Sequence, residues 1–176
     1  MSMRERVRFA ALLLAIVGCA ADAAGPNLGK PVDAADIAAW DTSIMPDGAG
    51  LPRGSGTAAQ GAAIYAAKCA ACHGENGKGG ASSALIPRGP ITTINAAEKT
   101  IANFWPYATT LFDFIRRAMP WQQPKTLTSD EVYALTAYIL ARNGIVGEND
   151  VMNATTLPKV RMPNRDGFII RFPEKL

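Results

Sequence analysis

The sequence predicts an all-α domain spanning roughly residues 57–143, flanked by irregular arms. Three observations lead there. Thr57 with Gln60, and Thr128 with Glu131, each form a capping box: a hydroxyl at the N-cap and an acceptor three residues on, the pairing that opens a helix. Apolar residues after the second box, Val132, Leu135, Ile139 and Leu140, recur at helical spacing. The flanks are instead punctuated by glycine and proline without a sustained period.

The 176 residues suit one small domain with tails. Hydrophobic residues make up 48%, enough for a core although alanine inflates the figure. The net charge of +3 is modest and no Lys/Arg cluster stands out, which argues against a nucleic-acid partner.

Residues 1–24 read as a secretory signal. Arg4, Arg6 and Arg8 form a basic start, and Phe9 to Gly18 an apolar run too short to span a membrane, so no transmembrane anchor is expected. Ala21-Asp22-Ala23 fits a cleavage site; the rival is lipidation at Cys19 after Ile16-Val17-Gly18. Cleavage lowers the formal charge from +3 to +2. Both routes export the protein, which points to the periplasm.

The arm 25–56 holds one short helical candidate, Asp33 to Trp40, then a loop marked by Gly48, Gly50, Pro52, Gly54 and Gly56. It serves either as packing on the domain, anchored by Trp40, or as a docking element; packing is the simpler reading. The first domain helix runs from Thr57 to about Ala71, with Gly61 and Tyr65 four apart on one face. A short helix is expected at Ala96 to Phe104, ending before Trp105-Pro106. Another starts near Thr110, with Thr110 and Asp113 capping its first turn. Arg116 and Arg117 fall in its last turn, where cations suit the helix dipole, and Pro120 stops it. The last helix, after Thr128, ends at Gly144. The tail 144–176 carries Met152, Leu157, Met162, Phe168, Ile169, Ile170 and Phe172 as anchors, and we expect an ordered wrap.

The chemistry lies in Cys69-Ala70-Ala71-Cys72-His73. C-x-x-C-H is the pattern that attaches one c-type heme. Two thiols one turn apart add across the heme vinyl groups, and the adjacent imidazole reaches the iron. His73 is the only histidine, and Cys69 and Cys72 are the only cysteines outside the N-terminal apolar run. Three alternatives are weaker. A dithiol redox site sits in a βαβ pattern that is missing here. A zinc site needs about four protein ligands. A disulfide leaves His73 unexplained.

Cys69 and Cys72 are therefore the expected thioether positions and His73 the proximal ligand. The Gly-rich run 74–80 lacks a preceding strand and the G-K-[ST] of a phosphate loop, so it reads as a turn around the heme edge. A carbonyl within Leu85-Ile86-Pro87-Arg88-Gly89-Pro90 is the candidate acceptor for the second imidazole nitrogen. With no second histidine, a methionine thioether is the natural distal ligand. Met45, Met119, Met152 and Met162 are available outside the signal. Met119 is selected because it lies between two helices, just before a proline; the alternative role for any of the four is gap filling in the core. Trp105, Tyr107, Arg116 and Trp121 are candidates for lining the heme crevice or bonding its propionates, against ordinary core or solvated positions.

These residues together resemble the class I cytochrome c family. The resemblance rests on Gly61 and Tyr65 in a first helix, C-x-x-C-H, Met119-Pro120 in a late loop, and Leu135-Thr136-Ala137-Tyr138 in the last helix. It implies that the first and last helices cross, small and aromatic residues at the contact. A narrower resemblance takes in the arms: Gly50-Leu51-Pro52 with Gly54-Ser55-Gly56, Trp105 to Thr110, Arg117 to Trp121, Leu127 to Tyr138, and Leu157 to Phe168. These look like the cytochrome subunits of periplasmic sulfite dehydrogenases and the cytochrome part of Sox sulfane dehydrogenase. That implies a catalytic partner holding a molybdenum cofactor and a downstream cytochrome c or oxidase. The Sox subunit can carry two heme motifs and this chain has one, so it is more similar to the sulfite type. The family's usual Gly-Pro-x-Leu after the heme motif is not cleanly present, which leaves the acceptor for His73 open. The expected role is electron transfer rather than catalysis. A freely diffusing carrier and a heme enzyme with an open iron site are the competing readings.

Overall fold

The computed structural model describes residues 28–87 and 99–169. The expected signal, Cys19, residues 88–90 of the acceptor candidates, residues 96–98 of the short helix, Ile170 and Phe172 lie outside them. The chain divides into two compact units, Met1–Asp41 and Thr42–Leu176. In the first, α1 (Ala34–Trp40) is opened by Asp33, whose carboxylate accepts from the Ala35 and Asp36 amides at 2.8 Å.

The second unit holds β1 (Ser55–Gly56), α2 (Ala58–Lys68), α3 (Ala70–His73), α4 (Ile101–Phe104), α5 (Ala108–Ala118), α6 (Ser129–Arg142), β2 (Met152–Asn153) and a 3-10 turn (Leu157–Lys159). Both capping boxes form. The Thr57 amide donates to Gln60 Oε1 at 2.9 Å, and the Thr128 amide to Glu131 Oε2 at 2.8 Å.

α2 and α6 pack closely because Gly61 carries no side chain: a Cβ there would lie 2.0 Å from the Ala134 carbonyl oxygen. Beside that contact the Tyr65 and Tyr138 rings lie 5.0 Å apart. The core continues through Phe112 and Tyr133, with ring centroids 4.4 Å apart, to Leu135, Leu140, Leu157 and Met162, all buried.

Several expectations change. The first helix stops at Lys68, because Cys69 leaves helical geometry (φ −124°, ψ −35°) and re-aims the turn that follows. α5 starts at Ala108, two residues early, without a side-chain cap. Burial of Ala108, Thr109, Leu111 and Phe112 sets its start instead, and Asp113 pairs with Arg117 at 2.7 Å. α4 does end before Trp105-Pro106.

The chain ahead of α2 joins the same unit from Thr42 onward. Tyr133 donates to the Pro52 carbonyl at 2.9 Å, and Arg117 to the Thr42 carbonyl and hydroxyl, each at 3.0 Å. Ser55 pairs with Asn153 and Gly56 with Met152, antiparallel, a ladder too short to show a period in sequence. In the tail, Met152, Leu157 and Met162 are buried, whereas Ile169 is exposed and Phe168 half-exposed, its ring edge-on to Phe104 at 5.3 Å. Among the described residues no helix is long and apolar enough to cross a membrane.

Candidate functional site

A cavity of about 410 Å³ opens where α3, the ends of α2 and α5, and one face of α6 meet. The size falls in the roughly 300–1,000 Å³ range usual for cofactors. Cys69, Cys72, His73 and Met119 all line it, together with an apolar set that includes Ile115, Leu135 and Ile139.

The thiols are free. Burial, with the neighbouring Cys72 adding to it and Lys68 opposing, pushes the Cys69 thiol up to about 11, so the unreacted group is neutral at pH 7. His73 Nδ1 lies 2.8 Å from the Ser83 carbonyl. A carbonyl only accepts, so Nδ1 carries the proton and Nε2 is left as the ligand atom.

The acceptor is thus Ser83, and not a carbonyl in 85–90 as the sequence suggested. A tight glycine turn explains the shift. Gly74 has φ +81°, a conformation that favours glycine, and a Cβ there would lie 2.6 Å from the Gly79 carbonyl oxygen. The chain then folds straight back: the Gly79 amide donates to the His73 carbonyl at 3.0 Å and the Ser82 amide to the Cys72 carbonyl at 2.9 Å. Tyr65 pins the same turn, donating to the Gly74 carbonyl at 2.8 Å. Burial foremost, then the nearby Cys69 and Tyr138, raises this phenol to about 12.

Met119 follows the last turn of α5, its amide bonded to the Ile115 carbonyl at 3.0 Å. Met45, Met152 and Met162 do not line the cavity; the latter two are packed in the core, the gap-filling role. Trp105 and Trp121 do line it, Trp105 edge-on to Phe114 at 5.6 Å and Trp121 largely exposed. Tyr107 and Arg116 do not. The Tyr107 ring lies under the Arg165 guanidinium at 4.2 Å, and Arg116 sits on α5 near Tyr133. Both follow elements whose start and rotation are set by core burial, which residue type alone does not disclose. Sequence reasoning missed Ser83, Lys68, Lys99 and Thr100; only the fold brings them to the cavity.

Among the described residues no three His, Cys, Asp or Glu converge on a bare ion. One imidazole and one thioether at an apolar cavity instead suit an iron that brings its own equatorial ligands, held through two thiols. The donor set and the cavity fit heme c.

The family model for cytochrome c matches residues 58–143. No curated protein matches the chain. Among solved structures, the chain is similar to one in the crystal structure of the sulfane dehydrogenase SoxCD from Paracoccus pantotrophus. The two share 37% identity over 85% of this chain and 75% of that one, with a TM-score of 0.75.

Proposed function

The chain belongs to the cytochrome c family and binds heme c covalently, and from this premise we propose that it is the electron-transfer subunit of a periplasmic sulfur-oxidising dehydrogenase. In this reading it takes electrons from a partner holding a molybdenum cofactor, which oxidises sulfite or sulfane sulfur, and passes them to a downstream cytochrome c or oxidase. Cys69 and Cys72 would hold the heme through two thioethers, and His73 and Met119 would ligate its iron. Residues 1–24 direct export.

One observation carries the partner assignment. The similarity to the SoxCD chain covers 85% of this protein, well beyond the residues 58–143 matched by the family model. Arms that a bare carrier does not need are shared with a subunit of a dehydrogenase. The single C-x-x-C-H favours the sulfite type.

Heme c, when bound, supplies a one-electron couple. The chain's residues set its conditions. The Ser83 carbonyl fixes the His73 ring and strengthens the imidazole as a ligand. The Met119 thioether favours ferrous iron and raises the potential. Ile115, Leu135 and Ile139 present an apolar wall that limits water at the site.

The test is a tagged copy recovered from the exported fraction of cells grown on a reduced sulfur compound. Co-recovered molybdenum and rapid heme reduction by sulfite support the subunit role. Heme alone, silent to sulfite, overturns it in favour of a freely diffusing carrier.

A further inference from the structure

Arg117 falls in the last turn of α5, where a cation needs no partner beyond the helix dipole. The structure gives it three acceptors. Its Nη2 donates to Asp113 Oδ1 at 2.7 Å and to the Thr42 carbonyl at 3.0 Å, and its Nη1 to the Thr42 hydroxyl at 3.0 Å. Asp113 lies one turn back on the same helix, so only the Thr42 bonds reach outside it. They join positions 75 residues apart. A planar fork of fixed donors suits such a set of acceptors, which a single ammonium cannot serve in the same way.

Thr42 is itself held. The loop it opens closes on itself, the Met45 amide donating to the Ala49 carbonyl at 2.9 Å and the Leu51 amide to the Gly48 carbonyl at 3.1 Å. Ile44 and Leu51 pack against the core. At the other end of the clasp stands Met119, two residues beyond Arg117, its amide bonded to the Ile115 carbonyl at 3.0 Å. The chain that follows gives it little support. Residues 121–126 are exposed. Their described hydrogen bonds are local, from the Gln123 amide to the Pro120 carbonyl and from the Thr126 hydroxyl to the Gln123 carbonyl. The place of Met119 is therefore set from the α5 side, and helix ends fray where nothing ties them.

We propose that Arg117 is a positioning residue for Met119: by clamping the last turn of α5 to the loop at Thr42, it keeps the thioether at the cavity wall. The inference rests on the reading of Met119 as distal ligand, and on no partner or substrate. A ligand that is in place for a larger fraction of the time lowers the apparent affinity of any competitor in proportion. Loosening the clasp therefore shows as easier displacement of Met119 by an added ligand, with the heme still attached.

The experiment titrates purified ferric holoprotein with imidazole and follows loss of the sulfur-to-iron charge-transfer band. Arg117→Gln removes the charge and the fork, and is expected to bind imidazole about three- to tenfold more tightly than the parent. Thr42→Val removes one acceptor and keeps the carbonyl. It should shift affinity less, in the same direction, and add little in the double variant, because both changes open one clasp. Arg161→Gln breaks an exposed ion pair with Asp166 in the tail and should keep the parent affinity, which separates positioning from general loosening. Parent-like binding in Arg117→Gln overturns the proposal, as does an equal shift in Arg161→Gln or full additivity in the double variant. If Arg117→Gln fails to mature, Thr42→Val decides alone, and an unshifted affinity there overturns the proposal. A parent without the charge-transfer band overturns the Met119 reading and this proposal together. A parent that shows the band, with variants that bind imidazole as it does, overturns this proposal alone.

Discussion

Gly61 and Ala134 bring two helices into backbone contact: a Cβ on Gly61 would lie 2.0 Å from the Ala134 carbonyl oxygen and 2.7 Å from Tyr138 Cβ. The atom in the way is backbone, so it cannot rotate aside. The contact ties α2, which leads into the heme-attachment turn, to α6, which supplies Leu135 and Ile139 to the cavity.

Gly61→Ala therefore overpacks this crossing. Alanine improves helix propensity by about 1 kcal/mol, but forcing the helices apart opposes that gain. The expected net loss is about 1–3 kcal/mol, read as a lower urea midpoint of the holoprotein. An unchanged midpoint would show that the helices separate freely.

Tyr65 sets a limit at alkaline pH. Its phenol is raised to about 12 in the folded chain, mainly by burial, against about 10 when unfolded. The unfolded state then releases the proton first. The contribution is complete below about pH 10 and is lost as pH rises towards 12. Tyr65→Phe should flatten this alkaline decline relative to the parent. At pH 8 it should cost about 0.5–1.5 kcal/mol through the lost bond to the Gly74 carbonyl. Denaturation curves over pH 8–12 measure both.

Glu131 acts at the other end of the scale. Its carboxylate pairs with Lys68 at 2.9 Å and accepts the Thr128 amide at 2.8 Å, and the Lys68 bond foremost lowers its pKa. A lowered carboxylate contributes above its ordinary value near 4.3, and the contribution fades as pH falls through the folded value. Glu131→Gln keeps the capping acceptor and removes the ion pair. For a partly exposed pair the cost at pH 7 is about 0.2–1 kcal/mol. The gap between variant and parent should close in acid denaturation below about pH 4.

Met119→Ala tests the distal ligand. The variant should attach heme normally, since Cys69, Cys72 and His73 are untouched. It should bind added imidazole or carbon monoxide, and its potential should fall by roughly 0.1–0.3 V, within the about 0.8 V span governed by axial ligands. A redox titration with and without imidazole decides it. Retention of the parent potential would move the assignment to another residue.

The chain by itself determined the parts that depend on short-range chemistry. C-x-x-C-H needs only one turn to declare its purpose, and the boxes at Thr57 and Thr128 need only four residues each. Gly61, four residues from Tyr65 on one face, is legible as room for a close helix, and the resemblance to class I cytochromes c implies that the last helix, with Tyr138, crosses there. Tertiary structure alone decided the rest. Ser83 became the His73 acceptor because the glycine turn folds back earlier than its composition shows. Tyr107 and Arg116 fell outside the cavity while Lys99 and Thr100 lined it, since helix rotation is set by burial of the whole face. The pairing of Ser55 with Asn153 spans nearly a hundred residues and leaves no local period. Local signals report what a residue can do; only the packed chain determines what lies beside it.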